Sequence, residues 1–170
     1  MTDMIKLRAP EDADVDRIFI WENDPDFFEV LPNAAPLSRL QVWEYIRNYN
    51  ADPFSSRELR QMIVDSASDK TVGYLDLFEF DPVNHRAGVA VYIDEDSRNK
   101  GYALKALETI ENYAHNTLAI HQLWAIVAID NEPSLKLFEK AGFKTCGRLR
   151  SWLCRRRQYV DAIFVQKLLS

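Results

Sequence analysis

Residues 97–104 read Ser-Arg-Asn-Lys-Gly-Tyr-Ala-Leu (SRNKGYAL), a polar run that ends at Gly101 and passes directly into helix-forming sequence. The first N–H groups of a helix lack intrahelical partners, and the helix dipole adds positive potential there. Arg98 and Lys100 add charge suited to phosphate, and Gly101 lets a ligand approach the backbone closely. The stretch therefore predicts an anion site. A solvated helix N-terminus with two surface cations is the alternative for these residues alone.

The sequence on either side of this run predicts a parallel pair of strands. Residues 86–129 read as strand, helix and strand, which implies a right-handed crossover between two parallel strands. The second strand, QLWAIVAI at 122–129, is wholly apolar, so we expect it to be central and covered on both faces. The loop matches neither the Walker pattern nor GxGxxG.

The rest of the chain extends this unit into a mixed sheet with helices against it. Hydrophobic periodicity and turn residues predict the order β-α-α-β-β-β-α-β-α-β-β. The second helix, SRLQVWEYIRNYN at 38–50, opens with a Ser cap and carries Leu40, Trp43 and Ile46 along one side. We expect Trp43 to lie in the core. The sequence thus indicates a mixed α/β (α+β) domain.

Composition excludes several classes of protein. The chain has 170 residues, 47% of them hydrophobic, and a net charge of −5 that argues against generic nucleic-acid binding. Its two cysteines, Cys146 and Cys154, form no CxxC pair, and the N-terminus carries acids where a signal peptide needs an apolar core. No run is long enough to span a membrane. We therefore expect a cytoplasmic protein. The three histidines, His85, His115 and His121, show no ligand spacing, so no metal site is expected.

Several motifs, in the right order, resemble the GCN5-related N-acetyltransferase (GNAT) family. RNKGYA at 98–103 is similar to the R/Q-x-x-G-x-G/A loop that holds the pyrophosphate of acetyl-CoA in that family. The preceding strand VAVYI, the later strand WAIVAIDN and the short helix PSLKLFEKAGF also match the family signature. QYVDAIFV at 158–165 resembles the last strand of the branch that contains ribosomal-protein N-terminal acetyltransferases and spermidine/spermine acetyltransferases.

The resemblance implies a fold and an activity. The fold would be the GNAT fold: a mixed sheet of six to seven strands with a splayed parallel pair and about four flanking helices. The whole chain, 1–170, would be one N-acetyltransferase domain with its core at about 5–169. It would use acetyl-CoA as co-substrate and acetylate a primary amine, such as a polyamine, a peptide N-terminus or another small amine. A homo-oligomer is compatible with this assignment.

The resemblance also assigns residues to acetyl-CoA. The strand residues Val91, Tyr92 and Ile93 would offer backbone groups to the pantetheine arm. The pyrophosphate would be held by Arg98, Asn99, Lys100, Gly101, Tyr102, Ala103 and Leu104. Asn131, Ser134 and Phe138 would lie along the arm, with Phe138 near the thioester.

The position of Phe138 departs from the pattern of many relatives. They have a Tyr there that is thought to protonate the departing thiolate, and Phe has no proton to give. A thiol pKa of about 8.5 makes the thiolate a tolerable leaving group without that help. For the general base, Asp76 and Glu79 are the candidates, and strand alternation places them on opposite faces unless a bulge intervenes. Glu79 is our first choice; an ordinary surface acid is its alternative.

The acceptor amine is not specified by the sequence. Trp21, Trp43 and Phe27 or Phe28 are candidates to line its site, and the loop at 25–37 should shape it. Its acids, Asp26 and Glu29, favour a cationic acceptor. Arg155–Arg157 could be a substrate or phosphate patch, although a solvated turn is the preferred interpretation.

Two other functions remain alternatives to the enzyme. The first is a non-catalytic acyl-CoA-binding module of the same fold, which the Phe at position 138 favours. The second is a protein that binds another nucleotide through the same loop.

Overall fold

The computed structural model describes residues 3–24, 35–155 and 157–170. In these residues, seven strands form a single sheet that has helices on both faces. The strands are β1 (Ile5–Arg8), β2 (Leu59–Asp65), β3 (Thr71–Asp81), β4 (Arg86–Ile93), β5 (Gln122–Ala128), β6 (Lys144–Arg155) and β7 (Gln158–Leu168). The helices are α1 (Val15–Glu22), α2 (Arg39–Arg47), α3 (Pro53–Ser56), α4 (Tyr102–Asn116) and α5 (Glu132–Lys140), with 3-10 turns at Asp12–Asp14 and Glu95–Ser97.

The sheet has the strand order β1-β2-β3-β4-β5-β7-β6. Every neighbouring pair is antiparallel except β4 and β5, which are parallel and are joined through α4. This confirms the predicted mixed sheet and its parallel pair. The order of elements agrees with the prediction except for the four-residue helix α3, which the sequence pattern did not indicate.

Local signals explain where the long connecting helices begin. The Ser38 hydroxyl accepts a hydrogen bond from the Gln41 N–H at 3.1 Å, and the Gln41 side chain accepts one from the Ser38 N–H at 2.8 Å. This reciprocal pair is a capping box, and it confirms the predicted Ser cap of α2. At α5, the Asn131 side chain accepts a hydrogen bond from the Ser134 N–H at 3.2 Å, so Asn131 is the N-cap of this helix.

Two hydrophobic cores lie on opposite faces of the sheet. The larger one packs α4 and α5 against the strands and includes Leu75, Leu107, Ile110 and Leu123. The smaller one packs α1 and α2 against the other face of β2, β3 and β4. Its buried members are Ile18, Trp21, Val42, Ile46, Met62, Tyr74 and Tyr92. We call this second side the α1/α2 face.

Two predictions of burial are wrong. Trp43 is 37% exposed and Leu40 is 62% exposed, because α2 turns Val42 and Ile46 toward the sheet instead. The Trp43 ring packs against the Arg47 guanidinium at the protein surface. Strand β5 is central and its side chains on the α4 face are buried, but Trp124 and Ile126 on the other face are only half-buried. That face is therefore partly open.

Among the described helices, none combines the length and the apolar character that crossing a membrane requires. Cys146 and Cys154 are both exposed free thiols. No three His, Cys, Asp or Glu side chains of the described residues are grouped so that they could hold a metal ion.

A buried guanidinium organises the α1/α2 face. Arg60 on β2 donates to both oxygens of Asp76 at 2.7 and 2.6 Å, and to Glu22 at 2.6 Å. Its guanidinium also lies over the Tyr74 ring, 4.1 Å from the centroid. Burial by itself would lower the pKa of Arg60, but the charge and hydrogen bonds of Asp76 outweigh it and raise that pKa well above its usual value. Arg60 thus stays charged and pairs with two carboxylates.

We expect Arg60→Met to lower the free energy of unfolding by about 3–5 kcal/mol, because it leaves Glu22 and Asp76 as uncompensated charges. Urea denaturation of the variant measures this. Removing both carboxylate charges as well, in the triple variant Arg60→Met/Glu22→Gln/Asp76→Asn, should recover most of the loss.

The control is Lys136→Met, which removes a cation from an exposed pair with Glu132 at 2.8 Å. Exposed pairs contribute at most about 1 kcal/mol, so this change should be small. Equal losses from Arg60→Met and Lys136→Met would contradict the structural role of Arg60.

Candidate active site

The loop between β4 and α4 presents a row of unpaired backbone N–H groups. In the described parts of the chain, no N–H of residues 99–104 donates to a protein acceptor, and the first helical bond is that from Lys105 N–H to the Gly101 carbonyl, at 3.1 Å. Asn99 and Gly101 have φ angles of 60° and 87°. Backbone that alternates in this way turns successive N–H groups outward into a concave anion site. Together with the start of α4, this loop is suited to a phosphate or pyrophosphate group.

Two side chains of this loop stabilise its conformation through hydrogen bonds to backbone carbonyls. The Arg98 Nε donates to the Ile93 carbonyl at 3.0 Å, and the Lys100 Nζ donates to the Asp96 carbonyl at 2.9 Å. Both side chains are exposed, so they add positive charge at the rim of the site. The sequence pointed to their charge, but it gave no indication that they also hold the loop's backbone in shape.

The parallel strands β4 and β5 separate next to this loop. They pair only at Arg86–Gly88 with Gln122–Trp124. Beyond Gly88, β4 continues to pair with β3 alone, and β5 continues to pair with β7 alone. The result is a V-shaped opening whose vertex lies at Gly88 and Trp124. Because β4 runs from the vertex to Ile93 and the anion loop follows it directly, the wide end of the opening lies at the loop.

Val91, Tyr92 and Ile93 of β4, which were predicted to bind the pantetheine arm, differ in how they face the opening. Val91 and Ile93 are half-buried, whereas the Tyr92 side chain is buried in the α1/α2 core against Trp21, at 5.4 Å between rings. On the side of β4 away from β3, alternate residues carry N–H and C=O groups that no neighbouring strand pairs with. The Asp94 N–H donates to the Val72 carbonyl on β3, and strand alternation turns the Tyr92 backbone groups toward β3 as well, so Val91 and Ile93 carry the backbone groups that face the opening.

Helix α5 follows β5 directly, at the wide end of the opening. Asn131 caps it, and Ser134 supplies the N–H that this cap receives. Phe138 is 4% exposed and packs edge-on against Phe143 with 5.0 Å between ring centroids. It therefore lies in the larger core and has no hydroxyl to offer.

Two charged contacts fix α5 in place. The Lys167 Nζ on β7 donates to the Ala141 carbonyl at the end of α5 at 2.6 Å and to Glu111 on α4 at 2.5 Å. At the other end, the Arg155 Nη1 contacts both oxygens of Asp130 at 2.9 Å. The Arg155 side chain is only 18% exposed, so the predicted solvated turn is wrong for this residue. Arg157 adopts a φ of 64° in the same hairpin turn.

The two candidate bases differ in environment. Asp76 pairs with Ala90, level with the opening, but both of its oxygens already accept from Arg60. Glu79 lies at a bulge in β3 with a φ of 47°, so the regular alternation assumed for Asp76 and Glu79 is interrupted. It is exposed and has no partner among the described residues. Because Phe78 pairs with Gly88 at the vertex, Glu79 lies at the closed end of the opening.

The candidate acceptor residues are only partly located. Trp21 is buried, and its Nε1 donates to Asp94 at 3.3 Å, so it is part of the core rather than an open lining. Trp43 lies on the outer side of α2. Asp26, Phe27, Phe28 and Glu29 lie outside the described residues.

Comparison with known proteins agrees with this geometry. A family model described as an acetyltransferase (GNAT) domain matches residues 5–144. The chain belongs to this family. As a GNAT protein it is an acetyl-CoA-dependent N-acetyltransferase, which confirms the activity and the co-substrate that the loop motif indicated.

Its relatives include an uncharacterized N-acetyltransferase and enzymes named for spermidine. The uncharacterized N-acetyltransferase p20 of Bacillus licheniformis is 24% identical over 170 residues, which is 99% of this chain and 94% of p20. The spermidine N(1)-acetyltransferase of Vibrio cholerae is 26% identical over 149 residues, or 88% of this chain and 84% of that enzyme. A crystal structure of spermidine N-acetyltransferase from Vibrio cholerae with CoA and spermine has a TM-score of 0.86 at 21% identity, covering 99% of this chain and 97% of the other.

We expect Gly101→Asp to weaken CoA binding at least about 100-fold, because a carboxylate beside the pyrophosphate costs several kcal/mol. There is room for the side chain, since the nearest atom to a Cβ at this position is the Met4 Cε at 3.9 Å. Isothermal titration with CoA measures the affinity, and thermal unfolding checks the fold.

Gly101→Asn is the matched control, because Asn has the same shape without the charge and tolerates positive φ about as well. It should bind CoA far more tightly than the Asp variant. Similar affinities for the two variants would show that the loop does not hold the pyrophosphate.

Proposed function

We propose that this GNAT protein acetylates a primary amine by direct attack on the thioester of acetyl-CoA, without a covalent intermediate on the enzyme. One observation carries the proposal: the open edge of β4 leads to the unpaired N–H groups of residues 99–104 at the wide end of the opening. These two sets of backbone groups suit a ligand with an anionic end and a chain of amides. We also propose that residues 5–169 act as one domain, since β6 and β7 complete the sheet.

The loop and the strand edge have separate parts in binding. Residues 99–104 hold the pyrophosphate with backbone N–H groups and the helix dipole. The β4 edge at Val91–Ile93 bonds the pantetheine amides in the manner of an added strand. Asn131, whose Oδ1 is used by the helix cap, offers its Nδ2 to the same arm. An arm laid along β4 from the loop brings its reacting end to the vertex at Gly88 and Trp124.

The reaction requires a neutral amine placed at that vertex. Its lone pair forms the new C–N bond, the C–S bond breaks, and the electrons of that bond leave with the thiolate. A thiolate with a pKa of about 8.5 departs without a proton donor, so the absence of a hydroxyl at Phe138 is tolerated. Positioning of the two reactants supplies much of the rate.

The amine must also lose a proton, and we assign its removal to Glu79, directly or through one water molecule. Glu79 lies at the closed end of the opening and has no partner among the described residues, whereas Arg60 occupies both oxygens of Asp76. General bases contribute about 10²–10⁴-fold to a rate. The proton then passes to solvent.

The amine acceptor, the assembly and the location extend the proposal beyond the family assignment. Relatives named spermidine acetyltransferases support an amine acceptor, and the solved structures include a dodecameric spermidine N-acetyltransferase from Vibrio cholerae, which supports a homo-oligomer. A peptide N-terminus is the second class of acceptor. We propose a cytoplasmic location, since two exposed free thiols suit a reducing compartment.

The test is release of free CoA from acetyl-CoA in the presence of polyamines, arylalkylamines, amino acids and peptides, with the product identified by mass spectrometry. We expect turnover with at least one primary amine. Tight CoA binding without turnover on any amine would instead identify a non-catalytic acyl-CoA-binding module.

In the same assay, Glu79→Gln should lower kcat by about 10²-fold, the lower end of the range for general bases, with the KM for acetyl-CoA unchanged. Glu44→Gln, an exposed acid on α2, is the control and should keep the wild-type rate. A wild-type kcat in Glu79→Gln would remove Glu79 from the mechanism.

A further inference from the structure

Three aromatic side chains form a row on the α1/α2 face, beside the vertex of the opening. The Phe78 and Trp124 rings meet edge-on with 5.1 Å between centroids, and the Trp124 and Phe164 rings stack at 5.7 Å with 15° between planes. They come from β3, β5 and β7 and are half-buried. We call Phe78, Trp124 and Phe164 the aromatic row.

A glycine makes the row continuous. Gly88 pairs with both Phe78 and Trp124 across the sheet. A Cβ at Gly88 would lie 2.4 to 2.9 Å from atoms of the Phe78 ring, too close for any side chain to fit without displacing it. Strand β4 therefore contributes no side chain here, and the Phe78 ring lies over its backbone to reach Trp124. Any carboxylate at this position would be incompatible with the row.

The row lies where the acyl acceptor must approach. Trp124 is at the vertex itself, and Phe164 pairs with Ile126, two residues further along the opening. Two residues of a strand span about 7 Å. An amine at the vertex is thus about 7 Å from the level of Phe164, which is roughly the distance that a two- or three-carbon chain spans between an amine and the middle of a ring.

The charges of the described residues on this face do not suit a polyamine. A polycation needs several unpaired carboxylates, yet Glu22 and Asp76 are both bound by Arg60. Of the described acids on β3, Asp81 pairs with Arg86 and only Glu79 has no partner. A single carboxylate is sufficient to take one proton from an amine, but not to bind a chain of several ammonium groups.

We propose that the aromatic row binds the ring of the acceptor, and that the preferred acceptor is an arylalkylamine, a primary amine joined by a short alkyl chain to an aromatic ring. This inference rests on the proposed acetyl transfer. Offset and edge-on contacts with three rings favour a planar aromatic group over an alkyl group of similar size. The row thereby sets the class of acceptor, while the opening and the loop set the acyl donor.

The experiment compares kcat/KM for 2-phenylethylamine, n-butylamine and spermidine with saturating acetyl-CoA. In the wild type we expect 2-phenylethylamine to exceed both others by about tenfold or more. Trp124→Ala should reduce the ratio of kcat/KM for 2-phenylethylamine to that for n-butylamine by about tenfold. Tyr113→Ala, which removes an exposed ring from α4 on the opposite side of the sheet, should leave the ratio unchanged.

A double variant is designed to shift the acceptor preference from the aromatic amine toward the polyamine. Phe78→Ala frees the space over β4, so Phe78→Ala/Gly88→Glu can place a carboxylate at the vertex and should shift the preference toward spermidine. Thermal unfolding and CoA titration of each variant establish that it folds and binds the donor.

The outcomes separate the inference from the proposed function. A wild-type preference for spermidine, or an unchanged ratio in Trp124→Ala, would overturn the aromatic acceptor and leave the acetyltransferase activity standing. An altered oligomeric state in Trp124→Ala, with the ratio unchanged, would show that the row is an interface between copies and would also overturn it. CoA binding without turnover on any amine would reject both proposals.

Discussion

The parallel pairing between β4 and β5 ends after three residue pairs, and the rest of the site depends on this interruption. The sheet stays continuous because β3 holds β4 along most of its length and β7 holds β5. The two strands can therefore separate without loss of the sheet. Their separation leaves backbone polar groups of β4 unpaired. A ligand with amides of its own can satisfy those groups, so the interruption converts an ordinary sheet into a binding site.

Helix α4 adds an anion site to this opening. The helix connects the two separating strands, so its N-terminus lies at the wide end of the V. Six consecutive N–H groups at 99–104 are left without protein acceptors in the described chain, and they lie at the positive end of the dipole of a 15-residue helix. The loop suits an anionic group and the β4 edge suits an arm with amides, so one ligand that carries both can fill the site. We propose that the fold specifies the acyl donor through backbone and the acceptor through side chains on the α1/α2 face.

The sequence predicted those features that depend on local chemistry. A glycine at 101, helix formers after it and an apolar strand before it are sufficient to place the anion loop, because each signal lies within a few residues of the site. The order of strands and helices followed from periodicity for the same reason. Ser38 was placed at a helix start by its capping chemistry.

Features that depend on distant partners were missed. Arg60 meets Glu22, 38 positions away, and Arg155 meets Asp130, 25 positions away. Neither contact leaves a trace in the hydrophobic periodicity of the sequence, from which the elements were predicted. Trp43 was misplaced because α2 has apolar residues on two sides, and only the sheet decides which side is buried. The aromatic row combines residues from three strands, and its continuity depends on the space left by Gly88.

The most direct test of the donor site is backbone amide hydrogen exchange with and without CoA. Residues 99–104 should exchange rapidly in the free protein, because their N–H groups have no protein acceptors, and slowly when CoA is bound. Alternate amides of residues 89–93 should gain protection in the same experiment, while the turn at 66–70 should not change. If CoA binds by calorimetry and neither the loop nor the β4 edge gains protection, this account of the site is wrong.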